Sequence, residues 1–262
     1  MGRIMRYIIN KVTAIAAFFA TFACIGQNQS SMLYSSAEFQ LKEITINQAD
    51  IRAKIYLVVI DPNKMKSKIY GLTKNYPSGR SSIGLINNES IQIIIGSGFV
   101  QNYFPLEPNG FLKIDGITIN SLKDRGYNGI IGVKNSKLIL TNHSSQLVST
   151  LQEGFQSGPT LIRDGRIIYD FNSPKANELA KRAFIGINAQ NKIIAAIVTT
   201  PISLKNLASI LLNPINVSDL KCKNSINLSG GGAETLVVKT KDRVYPYGNT
   251  ELDQAALLTF YK

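Results

Sequence analysis

The chain has 262 residues, a hydrophobic fraction of 44%, a charged fraction of 18% and a formal net charge of +12. That length and balance suffice to bury a real core, which excludes wholesale disorder and predicts one domain behind an N-terminal segment. The lysines are scattered, Trp is absent and no nucleic-acid module is recognisable. No nucleic-acid partner is therefore expected; an anionic envelope polymer, phosphosugar or lipid surface fits the charge, and so does a solvated basic surface without a partner.

In chain order, Arg3, Arg6 and Lys11 lead an apolar run from Val12 to Cys24. Residues 1–24 read as an export leader, the run having signal-peptide length and falling short of a comfortable membrane span. Cleavage after Ala23 would leave Cys24 as a lipoprotein-type N-terminus, although Thr21-Phe22-Ala23 lacks the aliphatic residue such a site favours. A simple cleaved signal and an uncleaved anchor stay open beside it. The expected location is the periplasm or cell envelope, with membrane attachment through this segment as one form. Only Cys222 remains in the body, so no intrachain disulfide is expected.

Residues 25–43 read as a polar linker and 44–262 as the domain. Ile55–Ile60 is a near-continuous apolar run ended by Asp61-Pro62-Asn63, the pattern of a buried strand. Further strands are predicted at Ile91–Ile95, Phe111–Ile114, Ile130–Val133, Lys137–Leu140, Thr160–Arg163, Phe184–Asn188, Ile193–Thr199, Leu236–Lys239 and Ala256–Tyr261. Helices are predicted from Ser144 to Gln152, from Ser173-Pro174 to about Lys181, and over Leu204–Leu212 with Ser203 as N-cap and Pro214 as limit. These elements predict an α+β fold: a single domain with a mixed β-sheet covered by a few helices.

The densest signal is Ser229-Gly230-Gly231-Gly232, entered and left by strand-like runs. Three glycines in a row point to unusual backbone angles or a close approach, and successive N–H groups in such a turn can cradle an anion. A tight hairpin or bulge is the plainer reading. No helix-like segment and no Gly-Lys-Ser/Thr follow, which excludes a nucleotide P-loop. Gly96-Ser97-Gly98-Phe99, Gln156-Ser157-Gly158-Pro159 and Lys181-Arg182-Ala183-Phe184 accompany it in the chain.

Taken together and in this order, these segments resemble the phosphodiester glycosidase family over residues 50–262. Ile60-Asp61-Pro62, the Ser203–Leu212 helix and Cys222 belong to the same resemblance. It implies a hydrolase acting on a sugar-1-phosphodiester of a phosphorylated glycan or glycolipid. No cofactor is expected, and the lack of a His/Cys ligand cluster gives no support to a metal site, with oxygen-only ligation of a hard cation staying open. Arg182 is implied as a bidentate phosphate holder. Gly98, Ser157, Gly158, Ser229, Gly230, Gly231 and Gly232 are implied as substrate-binding positions.

The chain departs from the family pattern where catalysis would sit. Gly96 stands in place of an asparagine, Ser229 in place of an aspartate, and Ala233 and Glu234 in place of serines. Glycosidic cleavage ordinarily needs carboxylates, so Glu234 is the expected catalytic replacement, with Arg182 beside it; an outward strand residue is the alternative for Glu234. Asp164 has a turn setting and a weaker claim, and His143 sits in an unrelated segment. A phosphosugar-binding pseudoenzyme is the alternative to an active hydrolase. A serine hydrolase lacks both the Gly-x-Ser-x-Gly elbow and a histidine partner. Asn-x-Ser triplets at Asn88, Asn142 and Asn216 are chance in so Asn-rich a chain, and Asn227 would lie inside the proposed site.

Overall fold

The computed structural model describes residues 28–262 apart from 49, 89, 97, 124–126 and 143–144. The leader with Cys24, together with Ser97 and His143, lies outside the described residues.

The long apolar runs form an eight-stranded sheet. Its order is Gln29–Ser35, Phe39–Gln48, Ile51–Ile60, Ile193–Ile202, Ala180–Asn188, Cys222–Asn227, Thr160–Arg163 and Arg166–Ile167. Two five-stranded sheets accompany it. In one, Ile91–Ile95 lies between Thr235–Lys239 and Ala256–Tyr261, with Val244–Gly248 and Lys66–Gly71 at the edges. In the other, Glu153–Ser157 lies between Leu112–Ile114 and Gly129–Lys134.

Alternation along the strands explains why the large sheet is apolar on both faces. Val58, Ile60, Ala183, Ile185, Ala195 and Ile197 join one core, which also takes Ile93, Phe260, Ile131 and Phe155 from the smaller sheets. A core shared by all three sheets makes them one packed unit. The intervening residues Leu57, Val59, Phe184, Ile194, Ala196 and Val198 pack on the other face against Leu207, Ala208 and Leu211 of the Leu204–Leu212 helix. That helix begins as predicted, with Ser203 accepting the Asn206 N–H through its side chain.

Four expectations are corrected. Helices are few, as expected, but the chain is predominantly β rather than α+β, and the sheets are not mixed: every registered strand pair among the described residues is antiparallel. Residues 29–43 are not linker. Gln29–Ser35 is an edge strand and Phe39–Gln48 its neighbour, whose Phe39, Leu41, Ile44 and Ile46 are buried. The polar composition of the edge strand reflects its exposure, not a lack of structure. The helix expected after Ser173 is one 3-10 turn, Pro174–Ala176, because the Ser173 side chain makes no cap and the chain enters the strand at Ala180. A helix at Ser82–Asn88 has no counterpart in the sequence reading.

Candidate functional site

The ends of several strands meet around a cleft of about 630 Å³, a volume suited to a sugar-sized ligand. The Cys222–Asn227 strand delivers Asn227 and then the glycine turn to its base, where Gly230 and Gly231 border it. The Thr160–Arg163 strand is preceded by Gly158 and Pro159, also on the cleft, and Ala180–Asn188 contributes Arg182. Phe99, from the loop after Ile91–Ile95, stacks on Tyr127 with ring centroids 4.5 Å apart and forms an aromatic side. The irregular stretch between residues 168 and 179 supplies Tyr169, Asp170, Lys175 and Glu178 to the rim.

Arg182 is half-buried, and two backbone carbonyls fix its guanidinium. Nε donates to Ile202 O at 3.2 Å and Nη2 to Glu178 O at 2.7 Å. Burial lowers its pKa from the ordinary arginine value, and the nearby Glu178 and Tyr169 oppose that shift. A charge so held presents a pre-oriented fork to an anion.

Each glycine of the turn answers to a different constraint. A Cβ on Gly230 would sit 2.4 Å from Lys181 O, so the turn presses directly on the Arg182 strand. Gly231 and Gly232 have open space around them but φ values of +68° and +117°, which side chains rarely adopt. The Gly231 N–H donates to Lys181 O at 3.1 Å and the Gly232 N–H to Glu234 Oε2 at 2.6 Å. These two amides are engaged within the protein, so any anion here relies on side chains more than on the turn.

Of the residues singled out in the sequence, the cleft thus gathers Arg182, Gly158, Gly230 and Gly231. The others do not line it. Glu234 is 2% exposed, with Oε2 on Gly232 and Oε1 4.0 Å from Lys181 Nζ; its carboxylate braces the glycine turn. Ser157 is buried and donates to Asn227 O at 3.0 Å, supporting the base from below. Ser229 is buried beside Gly230. Gly98 is buried, and a Cβ there would meet Gln156 O at 2.3 Å, while a Cβ on Gly96 would meet Thr235 Cγ2 at 2.9 Å. Gly232 is exposed at the turn. Asp164 occupies the exposed turn between Thr160–Arg163 and Arg166–Ile167, with φ +49° and its N–H on Asn224 Oδ1. Cys222 packs in the helix-side core, where burial pushes its thiol far above the usual range.

The sequence reading missed Tyr127, Asp170, Lys175 and Glu178, and placed Asn227 inside the proposed site without giving it a role. Asn227 has a signal, since it stands three residues before the glycine triple in a strand-like run. The rim residues have none: 168–179 lacks any periodicity that would place a side chain.

An antiparallel protein of three large sheets with an arginine-bearing, aromatic-sided cleft is the class these elements define. The family model for phosphodiester glycosidases matches residues 80–259, and the chain belongs to that family. Among solved structures, the catalytic domain of zebrafish N-acetylglucosamine-1-phosphodiester alpha-N-acetylglucosaminidase, auto-inhibited by its pro-peptide, is similar, with a TM-score of 0.62 at 12% identity over 90% of this chain and 88% of that one. A protein from Synechocystis has a TM-score of 0.65 at 13% identity, covering 88% of this chain and 63% of that one, so this chain spans less than two thirds of its length. A protein from Burkholderia pseudomallei has a TM-score of 0.57 at 10% identity, covering 80% and 74%. At these identities the likeness concerns the fold. No curated protein sequence matches the chain.

Proposed function

We propose that the cleft binds a sugar-1-phosphodiester of a phosphorylated glycan or glycolipid, with the phosphate against Arg182 and the sugar between the Asn227 base and the Phe99–Tyr127 side. The observation that carries this reading is the position of Arg182. Its guanidinium is fixed by two carbonyls in the same cleft as Gly158 and Gly230, in a chain of the phosphodiester glycosidase family. Lys175 on the rim adds a second positive charge. The leader-like N-terminus supports action in the cell envelope after export; among the described residues no helix is long and apolar enough to cross a membrane.

Binding without turnover is the form the base of the cleft favours, because Ser229 brings no carboxylate there and Glu234 is committed to the glycine turn. One observation favours hydrolysis: Asp170 and Glu178 border the cleft on the Arg182 side. In that mechanism water attacks the anomeric carbon and its proton passes to a rim carboxylate. The C–O bond breaks and its electron pair leaves with the phosphate, whose charge Arg182 stabilises.

The test is hydrolysis and calorimetric binding of a synthetic N-acetylglucosamine 1-phosphodiester by the domain from residue 28. The variants are Arg182→Lys, Glu178→Gln, Asp170→Asn and Glu234→Gln. Binding lost in folded Arg182→Lys, with no turnover by any form, is the expected result. Turnover that disappears in Glu178→Gln or Asp170→Asn establishes the hydrolase. Affinity unchanged in Arg182→Lys overturns the phosphate assignment.

A further inference from the structure

The strand that ends in the glycine turn carries buried polar atoms with nothing to bond. Ile226 and Leu228 point into the core shared by the sheets, so Ser225, Asn227 and Ser229 take the opposite side by alternation. On that side Asn227 Oδ1, Ser225 Oγ and Ser229 Oγ are shielded from water and have no hydrogen-bond partner among the described residues. Asn227 and Ser229 are 1% and 3% exposed, and Asn227 borders the cleft.

The orientation of the Asn227 amide is fixed by chemistry. Nδ2 donates to Gly158 O at 3.0 Å and to Leu228 O at 2.8 Å. Turning the amide over would set its oxygen against two carbonyl oxygens, so Oδ1 is an acceptor and stays one. The backbone on either side is held as firmly, by Asn227 N–H on Pro159 O and by Ser157 Oγ on Asn227 O, each at 3.0 Å. Holding a buried acceptor without a donor costs about 1–3 kcal/mol, and every bond around this residue maintains it in that state. Gly230 and Gly231 border the cleft beside it.

We propose that Asn227 Oδ1 is the specificity-determining acceptor of the cleft: it reads one hydrogen-bond donor, a hydroxyl or amide N–H, on the sugar of the ligand. Ser229 Oγ, on the same side of the chain, is its weaker neighbour. The inference rests on the sugar-phosphodiester reading and adds an orientation to it, with the neutral sugar at Asn227 and the anion at Arg182. It also adds an exclusion. A sugar presenting a carboxylate or a second phosphate to the base meets a fixed acceptor and is rejected, because two acceptors cannot share a proton that neither has.

The experiment uses the unaltered domain with a series of N-acetylglucosamine 1-phosphodiesters in which each hydroxyl in turn is replaced by fluorine, which cannot donate. Inorganic phosphate serves as the reference ligand. One fluoro analogue is expected to bind at least tenfold more weakly than the parent while the others stay within about threefold, as for loss of a donor to a buried acceptor. If no hydroxyl replacement matters, the same comparison is made with the acetamido group replaced by an ester, and a sugar insensitive there too overturns the inference. Folded Asn227→Ser should erase the penalty for the discriminating analogue; a penalty that persists in that variant overturns the assignment to Asn227. Phosphate binding without any affinity for the parent diester would instead overturn the ligand reading itself.

Discussion

Glu234 Oε2 accepts the Gly232 N–H at 2.6 Å from a position 2% exposed, so a buried carboxylate closes the glycine turn from behind. Its other oxygen faces Lys181, whose own carbonyl takes the Gly231 N–H. Glu234 and residue 181 therefore hold the turn from its two sides.

Glu234→Ala should cost about 1.5–3 kcal/mol, the range for a hydrogen bond to a charged group. Glu234→Gln retains an acceptor for Gly232 and should cost less than half as much. Urea unfolding of both variants measures this, and equal losses would show that the charge matters more than the bond.

Gly230 and Gly231 should respond differently to alanine. At Gly230 the new methyl meets Lys181 O at 2.4 Å, so the turn must move, with an expected cost of about 1–3 kcal/mol and weakened ligand affinity. At Gly231 nothing lies within 4 Å and only the positive φ is strained, for about 1–2 kcal/mol with affinity largely kept. Calorimetric titration of the two variants with the diester separates the cases.

Glu153 should make stability depend on pH. It is 7% exposed, and burial raises its pKa, while the Ile69 N–H at 2.6 Å and the charge of Lys68 oppose the shift. With the folded value above the unfolded one of about 4.3, the folded state binds the proton more tightly. The associated stability is full below pH ~4.3 and is lost as pH rises through the folded pKa. Glu153→Gln keeps an acceptor for Ile69 and removes the titration. Its stability relative to the parent should grow between pH 4 and 7; a difference that stays constant across that range refutes the argument.

Cys222 should be silent to thiol reagents. Its side chain is buried against the helix-side core and its thiol is held protonated by burial. A domain starting at residue 28 should show no reaction with a disulfide reagent at pH 8 until denaturant is added, and then one thiol. Cys222→Ser places a hydroxyl in that core and should cost about 1–3 kcal/mol.

Strands buried on both faces were legible as apolar runs: Ile91–Ile95, Thr160–Arg163 and Ala256–Tyr261 have the bounds read from composition alone. Two strands rich in polar residues were not. Gln29–Ser35 is polar because it is an edge, and Glu153–Ser157 hides Glu153, Gln156 and Ser157 in hydrogen bonds that no hydropathy pattern reveals. The site divides in the same way. The glycines could be found because backbone constraint leaves a mark in sequence, and Arg182 through the resemblance of its segment to the family. Whether Glu234 faces the cleft or the turn depends on a side-chain direction just past a glycine, where strand alternation no longer fixes the face. Asn227 was visible as a residue but not as an acceptor, since its role depends on Gly158 O, 69 positions away.

The order of strands also sets a timetable for folding. Ile51–Ile60 finds its inner neighbour only at Ile193–Ile202, and Ile91–Ile95 is flanked on both sides by strands that start after residue 234. During synthesis an amino-terminal isoleucine-rich strand must wait, unpaired on both edges, for the last segment to leave the ribosome. Pairings this distant make for slow closure and a long exposure to wrong partners. Loss of even the final six or seven residues removes Ala256–Tyr261 from between Ile91–Ile95 and Lys66–Gly71, so a prematurely ended chain leaves the central strand of that sheet with one edge open and Lys66–Gly71 without its partner.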